Sequence, residues 1–390
     1  MSEIKVNSIK GVGASAAAIT VNNSDGTCTA NITNNLSNRN LIINGAMQVA
    51  QRGSAAVQIN GYGSVDRFTF VNNSVTNNPT QAQVDVASST TPYTLGFRKA
   101  VKFVNGSNTA GTDDILVFKQ PMEAQNVASS GWNFKSSSSY ITLSFWIKSS
   151  VAQNFYGYCR TQDGTAQIYP FETGSLTADT WTKITKTIPG NSNISIDSDT
   201  GEGFQVAVVP YLGTDRTDAS VSLNAWAAYG SGTTRTPNTI PTWYTTNSAT
   251  LEFTGVQLEV GSVATDFEHR SFGQELALCQ RYYQRIDGSD VNTIYGVGNV
   301  DGGNQGQILV TLGTPLRAKA SSMDTTGSSA DYKFRVRTTQ NCDAVPTLLN
   351  GGFTQQFLEW QANGHGFSDG QAALAMGGSS SSFLAFSAEL

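Results

Sequence analysis

The stretch LEFTGVQLEVGSVATDFEHRSFGQELALCQRYYQ, residues 251–284, switches its apolar period part-way along. Leu251, Phe253, Val256, Leu258 and Val260 alternate with small or polar residues on either side of Gly255, the pattern of a half-buried strand with one irregularity at the glycine. From Glu275 the spacing becomes three and four, through Leu276, Leu278, Cys279 and Tyr282, as a helical turn or two requires. A strand that runs straight into a short helix marks a seam between folded units. The chain has 390 residues, beyond the roughly 100–200 of a typical domain, so two or three units are expected.

Upstream of the seam, short apolar runs recur between Gly, Asn, Asp and Pro clusters, at 41–49, 66–71, 97–104, 114–119, 140–148, 155–159, 181–188, 204–209, 219–228 and 249–260. Many short strands with turn signals predict a sandwich of two antiparallel sheets over 41–270, cored by residues such as Phe68, Phe70, Phe103, Phe145, Val206 and Phe253. Residues 271–285 read as a helical link. Downstream, runs at 291–297, 306–313, 332–337, 353–360 and 383–388, divided by turns such as Asp301-Gly302-Gly303, predict a second, smaller β domain over 286–390. In residues 1–40, Ile4 with Val6 and Ile19 with Val21 alternate too briefly to offset backbone ordering at roughly 1–2 kcal/mol per residue. That segment is expected to stay loose or to pair with another chain.

Composition agrees with an all-β protein. Charged residues make up only 14% and aromatics 10%, leaving a polar but mostly uncharged surface around a core that aromatic and β-branched residues can fill. The formal charge of −5 gives no basic footprint for nucleic acid, and no apolar run approaches the ~18–20 residues of a membrane-inserted helix. The opening MSEIKVNSIKGVG has no apolar stretch of the kind a secretion signal needs, so synthesis in the cytoplasm is expected. Cys28, Cys159, Cys279 and Cys342 stand far apart without metal-ligand spacing, which favours buried small hydrophobes over a disulfide framework or a zinc site.

The 251–284 segment closely resembles one found in many bacteriophage tail-fibre and receptor-binding proteins, where a QLEVG strand leads through an FEHRS-like link to an ELALCQRYYQ-like helix. NLIINGAMQVAQRG (40–53) is similar to the opening strand of their jelly-roll domain, and YGSVDRFTF (62–70) to the next, with Phe68 where the family pattern has tryptophan after the Asp-Arg pair. ITLSFWIKS (141–149), WTKITKTIPG (181–190) and the strand ending at Val260 complete a sandwich resembling carbohydrate-binding modules; FLAFSAEL (383–390) looks like a common fibre ending. The likeness covers roughly 40–285. It implies a virion protein made in the host cytoplasm: a trimeric tail fibre of sister chains, attached to the phage tail or an adaptor through residues 1–40. Its partner at the cell would be a host surface glycan or protein, and no cofactor is implied.

The chemistry-bearing residues are few. His269 in the FEHRS link reads as structural, and His365 in Asn363-Gly364-His365-Gly366 as a polar loop residue or ligand contact, since no GxSxG or other nucleophile motif accompanies it. Acidic pairs at Asp113/Asp114, Asp197/Asp199 and Asp215/Asp218 leave glycan cleavage open as an alternative, a depolymerase, but nothing in sequence separates them from solvated loop charge. Asp197 and Asp199 alternate oxygen ligands as calcium prefers, against the plainer reading of an acidic hairpin loop. Sugars stack on tryptophan and tyrosine, so Trp132, Trp226, Tyr229, Trp243, Tyr244 and Trp360 are candidate platforms, each also readable as core. In a fibre fixed at its N-terminus the far end meets the cell first; the receptor contact is therefore expected in 286–390, at Trp360, Asn363 and His365, with Trp226 and Trp243 next.

Overall fold

The computed structural model describes residues 6, 8–10, 12, 19–21, 28–30, 38–58, 60–230, 235–363 and 366–390. Two antiparallel sheets face each other in the first unit. Six strands run in the order Thr182–Pro189, Tyr140–Ser149, Thr250–Val260, Lys99–Val104, Thr80–Asp85, Val57–Gln58. Seven run in the order Ala227–Ala228, Gln167–Ser175, Asn154–Thr161, Glu202–Leu212, Ile115–Glu123, Thr69–Asn73, Gly61–Tyr62. This is an antiparallel jelly-roll sandwich. Alternation sends Phe70, Phe103, Phe118 and Phe253 inward, where successive ring centroids lie 4.7, 5.0 and 5.4 Å apart. Burying each such side chain contributes about 1.5–3 kcal/mol.

The irregularity read at Gly255 is a bulge. Register between Tyr140–Ser149 and Thr250–Val260 slips between Ser144 and Trp146, and Gly255 takes φ +63°, where an added Cβ would meet the Phe97 ring at 2.6 Å.

Three expected elements differ. Residues 41–49 form an irregular turn-rich segment, because side chains replace the strand ladder there. Gln120 exchanges two hydrogen bonds with the Ile43 backbone, at 2.9 and 2.7 Å; Asn40 Oδ1 accepts from the Ile42 and Leu258 N–H groups, both at 3.0 Å; Asn44 and Met47 sit at positive φ. Gly45 lies against the strand at Val256, whose carbonyl oxygen would be 2.0 Å from an added Cβ. Within 219–228 only Ala227–Ala228 pairs, since Asn224 at φ +57° turns the chain. The link helix spans Phe272–Gln280, opened by a Ser271/Gln274 capping box, and Tyr283–Asp287 is a strand: pairing with Phe383–Ser387 overrides the helical spacing.

The second unit has a three-stranded sheet, Tyr283–Asp287, Phe383–Ser387, Ser322–Asp324, and a seven-stranded one, Thr339–Asn341, Tyr332–Arg335, Ala372–Gly377, Ile294–Val300, Gln305–Thr311, Gln355–Gln361, Thr347–Asn350. In the amino-terminal segment Ser8–Ile9, Ile19–Val21 and Cys28–Ala30 pair antiparallel with one another, with Ile19–Val21 in the middle; Ile9 stays exposed. Ile4 lies outside the described residues. Cys159, Cys279 and Cys342 are buried free thiols.

The two large units lock together through charge. Glu123 accepts from Arg281 Nε and Nη2 at 2.9 and 2.8 Å and from the Tyr282 hydroxyl at 2.6 Å. Arg67, 1% exposed, lies 3.3 Å from the Tyr282 ring centroid, pairs with Glu389 and donates to Pro121 O at 2.9 Å. The Tyr62 hydroxyl donates to Leu390 O at 2.9 Å. The last residues of the chain thus fold back onto the first sandwich, and the second unit both begins and ends at the seam.

Candidate functional site

The structure withdraws most sequence-predicted contact residues from the surface. Trp360 is fully buried, its indole N–H donating to Lys333 O at 3.1 Å and its ring 5.5 Å from that of Tyr332; it is a core residue of the second unit. Trp243 is equally buried, donating to Thr250 O at 3.0 Å. Tyr244 gives its hydroxyl proton to Asp114 at 2.8 Å, and Trp132 is core as well. Large aromatics beside turns are drawn inward because their area outweighs one polar atom that a backbone carbonyl can satisfy. Trp226 is half-buried, with its N–H on Pro189 O at 2.6 Å and its ring 5.4 Å from Tyr169, so it pins the edge of the sandwich. Asn363 is exposed, its backbone N–H donating to Asp343 Oδ2 at 2.5 Å, while His365 lies outside the described residues. Nothing described therefore assembles a site around Trp360.

Asp197 and Asp199, the candidate calcium ligands, lie in the turn that precedes Glu202. Asp199 Oδ1 caps the turn by accepting from Gly201 N at 2.8 Å, and Asp197 N donates to Asp163 Oδ2 at 2.9 Å, as in an acidic hairpin loop. Among the described residues no group of three or more His, Cys, Asp and Glu side chains is placed to hold a metal ion.

A different site emerges on the outer face of the seven-stranded sheet. Residues that alternate away from the core, Ile115, Val117, Tyr158, Ile168, Ala207, Val209 and Leu212, form a second apolar layer there, with Val71 and Tyr229 against it. Val71 stands directly opposite Val117, and Gln205 directly opposite Arg160. An excursion leaves the sheet after Leu212 and pairs briefly at Ala227–Ala228 with Gln167 and Ile168, and Tyr229 and Arg235 lie over this face. Together Val71, Val117, Lys119, Tyr158, Arg160, Gln205 and Arg235 line a cavity of about 120 Å³.

Its electrostatics are unusual. Gln205 is 1% exposed, yet neither its amide oxygen nor its amide nitrogen has a hydrogen-bond partner among the described residues, and the same holds for the buried Nε of Arg160. Such groups destabilise a fold by about 1–3 kcal/mol each unless something satisfies them. Arg160 and Arg235 both lean on Tyr229, their guanidinium carbons 4.5 and 6.0 Å from its ring centroid, and Arg235 Nε donates to the Tyr229 hydroxyl at 3.1 Å. Burial, aided by the neighbouring Arg160 and Arg235 charges and opposed by Glu202, lowers the Lys119 ammonium below its ordinary range. Glu202 Oε1 is itself taken by Gln162 Nε2 at 3.1 Å. The sequence carried one signal: Lys119, Arg160 and Gln205 are long polar residues at outward positions within otherwise apolar strands.

A second cavity, about 210 Å³, opens on the outer face of the six-stranded sheet beside the Gly255 bulge, between Phe97, Trp146, Lys183, Phe267 and His269. His269 packs 5.2 Å from the Phe97 ring, with Nε2 at 2.9 Å from Leu95 O, and so braces the link to the sandwich. The smaller cavity is the stronger candidate because only it holds a buried amide with both atoms unsatisfied.

No family model and no curated protein matches the chain. Among solved structures, the enzymatically active domain of tailspike protein 4 from bacteriophage CBA120 is similar over 57% of this chain at 10% identity and a TM-score of 0.31, and the chain spans only 21% of that domain. A protein from Bacteroides thetaiotaomicron described as sugar-binding is similar over 57% of this chain and 100% of its own, at 11% identity and a TM-score of 0.32. The tripod of the bacteriophage Tuc2009 baseplate is similar over 70% of this chain and 83% of its own, at 11% identity and a TM-score of 0.26.

Proposed function

We propose that this chain is a bacteriophage tail-fibre or receptor-binding protein that attaches the virion to a host surface glycan without cleaving it, through the cavity on the outer face of the seven-stranded sheet. The observation that carries the reading is Gln205: a buried amide offering one acceptor and two donors to the cavity, beside two valines and a tyrosine. Apolar side chains meet sugar C–H faces and amides meet hydroxyl groups, so this lining suits a carbohydrate. The resemblance of 40–285 to phage fibre proteins supports the virion setting, and the residues that carry it are the ones that build the seam. Attachment through 1–40 and assembly of three sister chains belong to the same proposal.

Binding without cleavage fits how the loop carboxylates are engaged. Asp113 pairs with Arg216 at 2.8 Å, Asp114 accepts from Tyr244, and Asp218 accepts from Ser220 N and Oγ at 2.8 and 2.7 Å. The test is adsorption of the full chain to host cells and to a glycan array, with Gln205→Leu as the variant. A tenfold or greater loss in the variant, with folding intact, supports the site; unchanged binding overturns it. Release of reducing ends from host polysaccharide would overturn the non-enzymatic part, and a monomer by light scattering at micromolar concentration the trimer.

A further inference from the structure

The chain as a whole is negative, at −5, yet the cavity gathers Lys119, Arg160 and Arg235 around one buried amide. Among the described residues none of these three cations has a carboxylate within salt-bridge distance, whereas Arg67, Arg270 and Arg281 in the seam all do. Three like charges held close in a partly desolvated site repel one another, and an anion bound among them would remove that repulsion. A neutral sugar needs none of them. We propose that the cavity selects a glycan bearing an anionic group, a carboxylate or a phosphate, with the charge held between Arg160 and Arg235 and the sugar ring over Val71 and Val117.

The geometry gives each residue a part. Tyr229 holds both guanidinium groups by its ring face and hydroxyl, so they are positioned before any ligand arrives. The buried Arg160 Nε remains a free donor, and guanidinium groups bind planar oxyanions through paired N–H donors. Gln205, directly across from Arg160, reaches the neighbouring hydroxyl groups. Glu202, the carboxylate that acts on Lys119, has its Oε1 occupied by Gln162 Nε2. The cavity has room for several water-sized groups, enough for a charged substituent and part of one ring.

This inference rests on the glycan reading, and the experiment separates the two. The full chain is titrated calorimetrically with galactose, galacturonate and galactose 6-phosphate at low and at physiological salt, and displayed on an array of neutral, carboxylated and phosphorylated oligosaccharides. The expected result is at least tenfold preference for one charged class over its neutral counterpart, weakened by salt. In Arg235→Gln, with the fold checked by a thermal melt, that preference falls tenfold, and an unchanged preference overturns the inference. Preference for galacturonate identifies a uronate-like or sialate-like acid, preference for galactose 6-phosphate a phosphorylated polymer. Equal binding of neutral and charged glycans overturns the anionic inference and leaves the glycan reading standing. No binding of any member overturns both.

Discussion

Gln120 and Gln205 sit on neighbouring strands of one sheet, each 1% exposed, and they do opposite things. Gln120 points toward the seam and satisfies both backbone groups of Ile43, in a region where the buried guanidinium groups have carboxylate partners, Arg67 with Glu389, Arg281 with Glu123 and Arg270 with Glu275, although Arg67 Nε and Arg270 Nε themselves stay unbonded among the described residues. Gln205 points into the outer cavity and satisfies nothing, in a region where three cations stand without a carboxylate. Buried polarity alone therefore does not mark a functional site. Pairing of charge does: cations matched by carboxylates hold domains together, whereas cations without a carboxylate beside an amide unsatisfied at both atoms leave room for a ligand.

Unpairing the seam should have the largest effect. Arg67→Ala removes a buried guanidinium from Glu389, from the Tyr282 ring and from Pro121 O, and should destabilise by about 3–5 kcal/mol, read as a fall in the denaturant midpoint. A loss under ~1 kcal/mol would mean that the seam network is ornamental. Acidity probes the same region. Burial pushes the Asp66 carboxyl up to about 6 despite its hydrogen bonds from Gln51. A carboxyl whose folded pKa exceeds its unfolded one stabilises the fold in its protonated form, so its contribution is full below the unfolded value of 3.8 and is lost as pH rises through about 6. That amounts to roughly 3 kcal/mol across the window. Thermal melts should show the midpoint of the native chain falling between pH 4.5 and 7 relative to Asp66→Asn, and parallel curves would refute the assignment. Glu123, which hydrogen bonds from Arg281 and Tyr282 hold below its ordinary value against the opposing effect of burial, contributes with the opposite sign, its stabilisation vanishing under acid.

Much of the sandwich was legible in sequence because period-two alternation is a local property: the runs at 140–148, 155–159, 181–188 and 249–260 fall on observed strands, and Gly255 announced its bulge. What failed was non-local. NLIING reads as a strand until Gln120 and Glu275 are seen supplying its hydrogen bonds from 77 and 231 residues away. Tyr283–Asp287 reads as helix until the strand from the far end of the chain pairs with it. The site was missed for a related reason. Aromatics near turns drew the eye to Trp360 and Trp243, which burial claims, whereas Lys119, Arg160, Gln205 and Arg235 come from three strands and an excursion that only the closed sheet brings together. Charge count pointed away from them too, since a chain at −5 gives no hint of a local cationic pocket.

The smallest expected effect is the most discriminating, because the same substitution made at the two glutamines should part in sign. Gln120→Leu strands the N–H and C=O of Ile43 without partners in a dry seam and should destabilise by roughly 2–3 kcal/mol. Gln205→Leu removes an amide that has no partner to lose and replaces it with an apolar group against Val117 and Tyr158; the change should be a slight gain, within about 1 kcal/mol of zero. Equilibrium unfolding of both variants beside the native chain reads the difference directly, and the glycan array reads its counterpart: Gln120→Leu keeps its ligand when folded, Gln205→Leu loses it. If Gln205→Leu were instead as destabilising as Gln120→Leu, its amide would have a structural partner in solution, and the outer cavity would be a second finished network like the seam, with no ligand required to explain it.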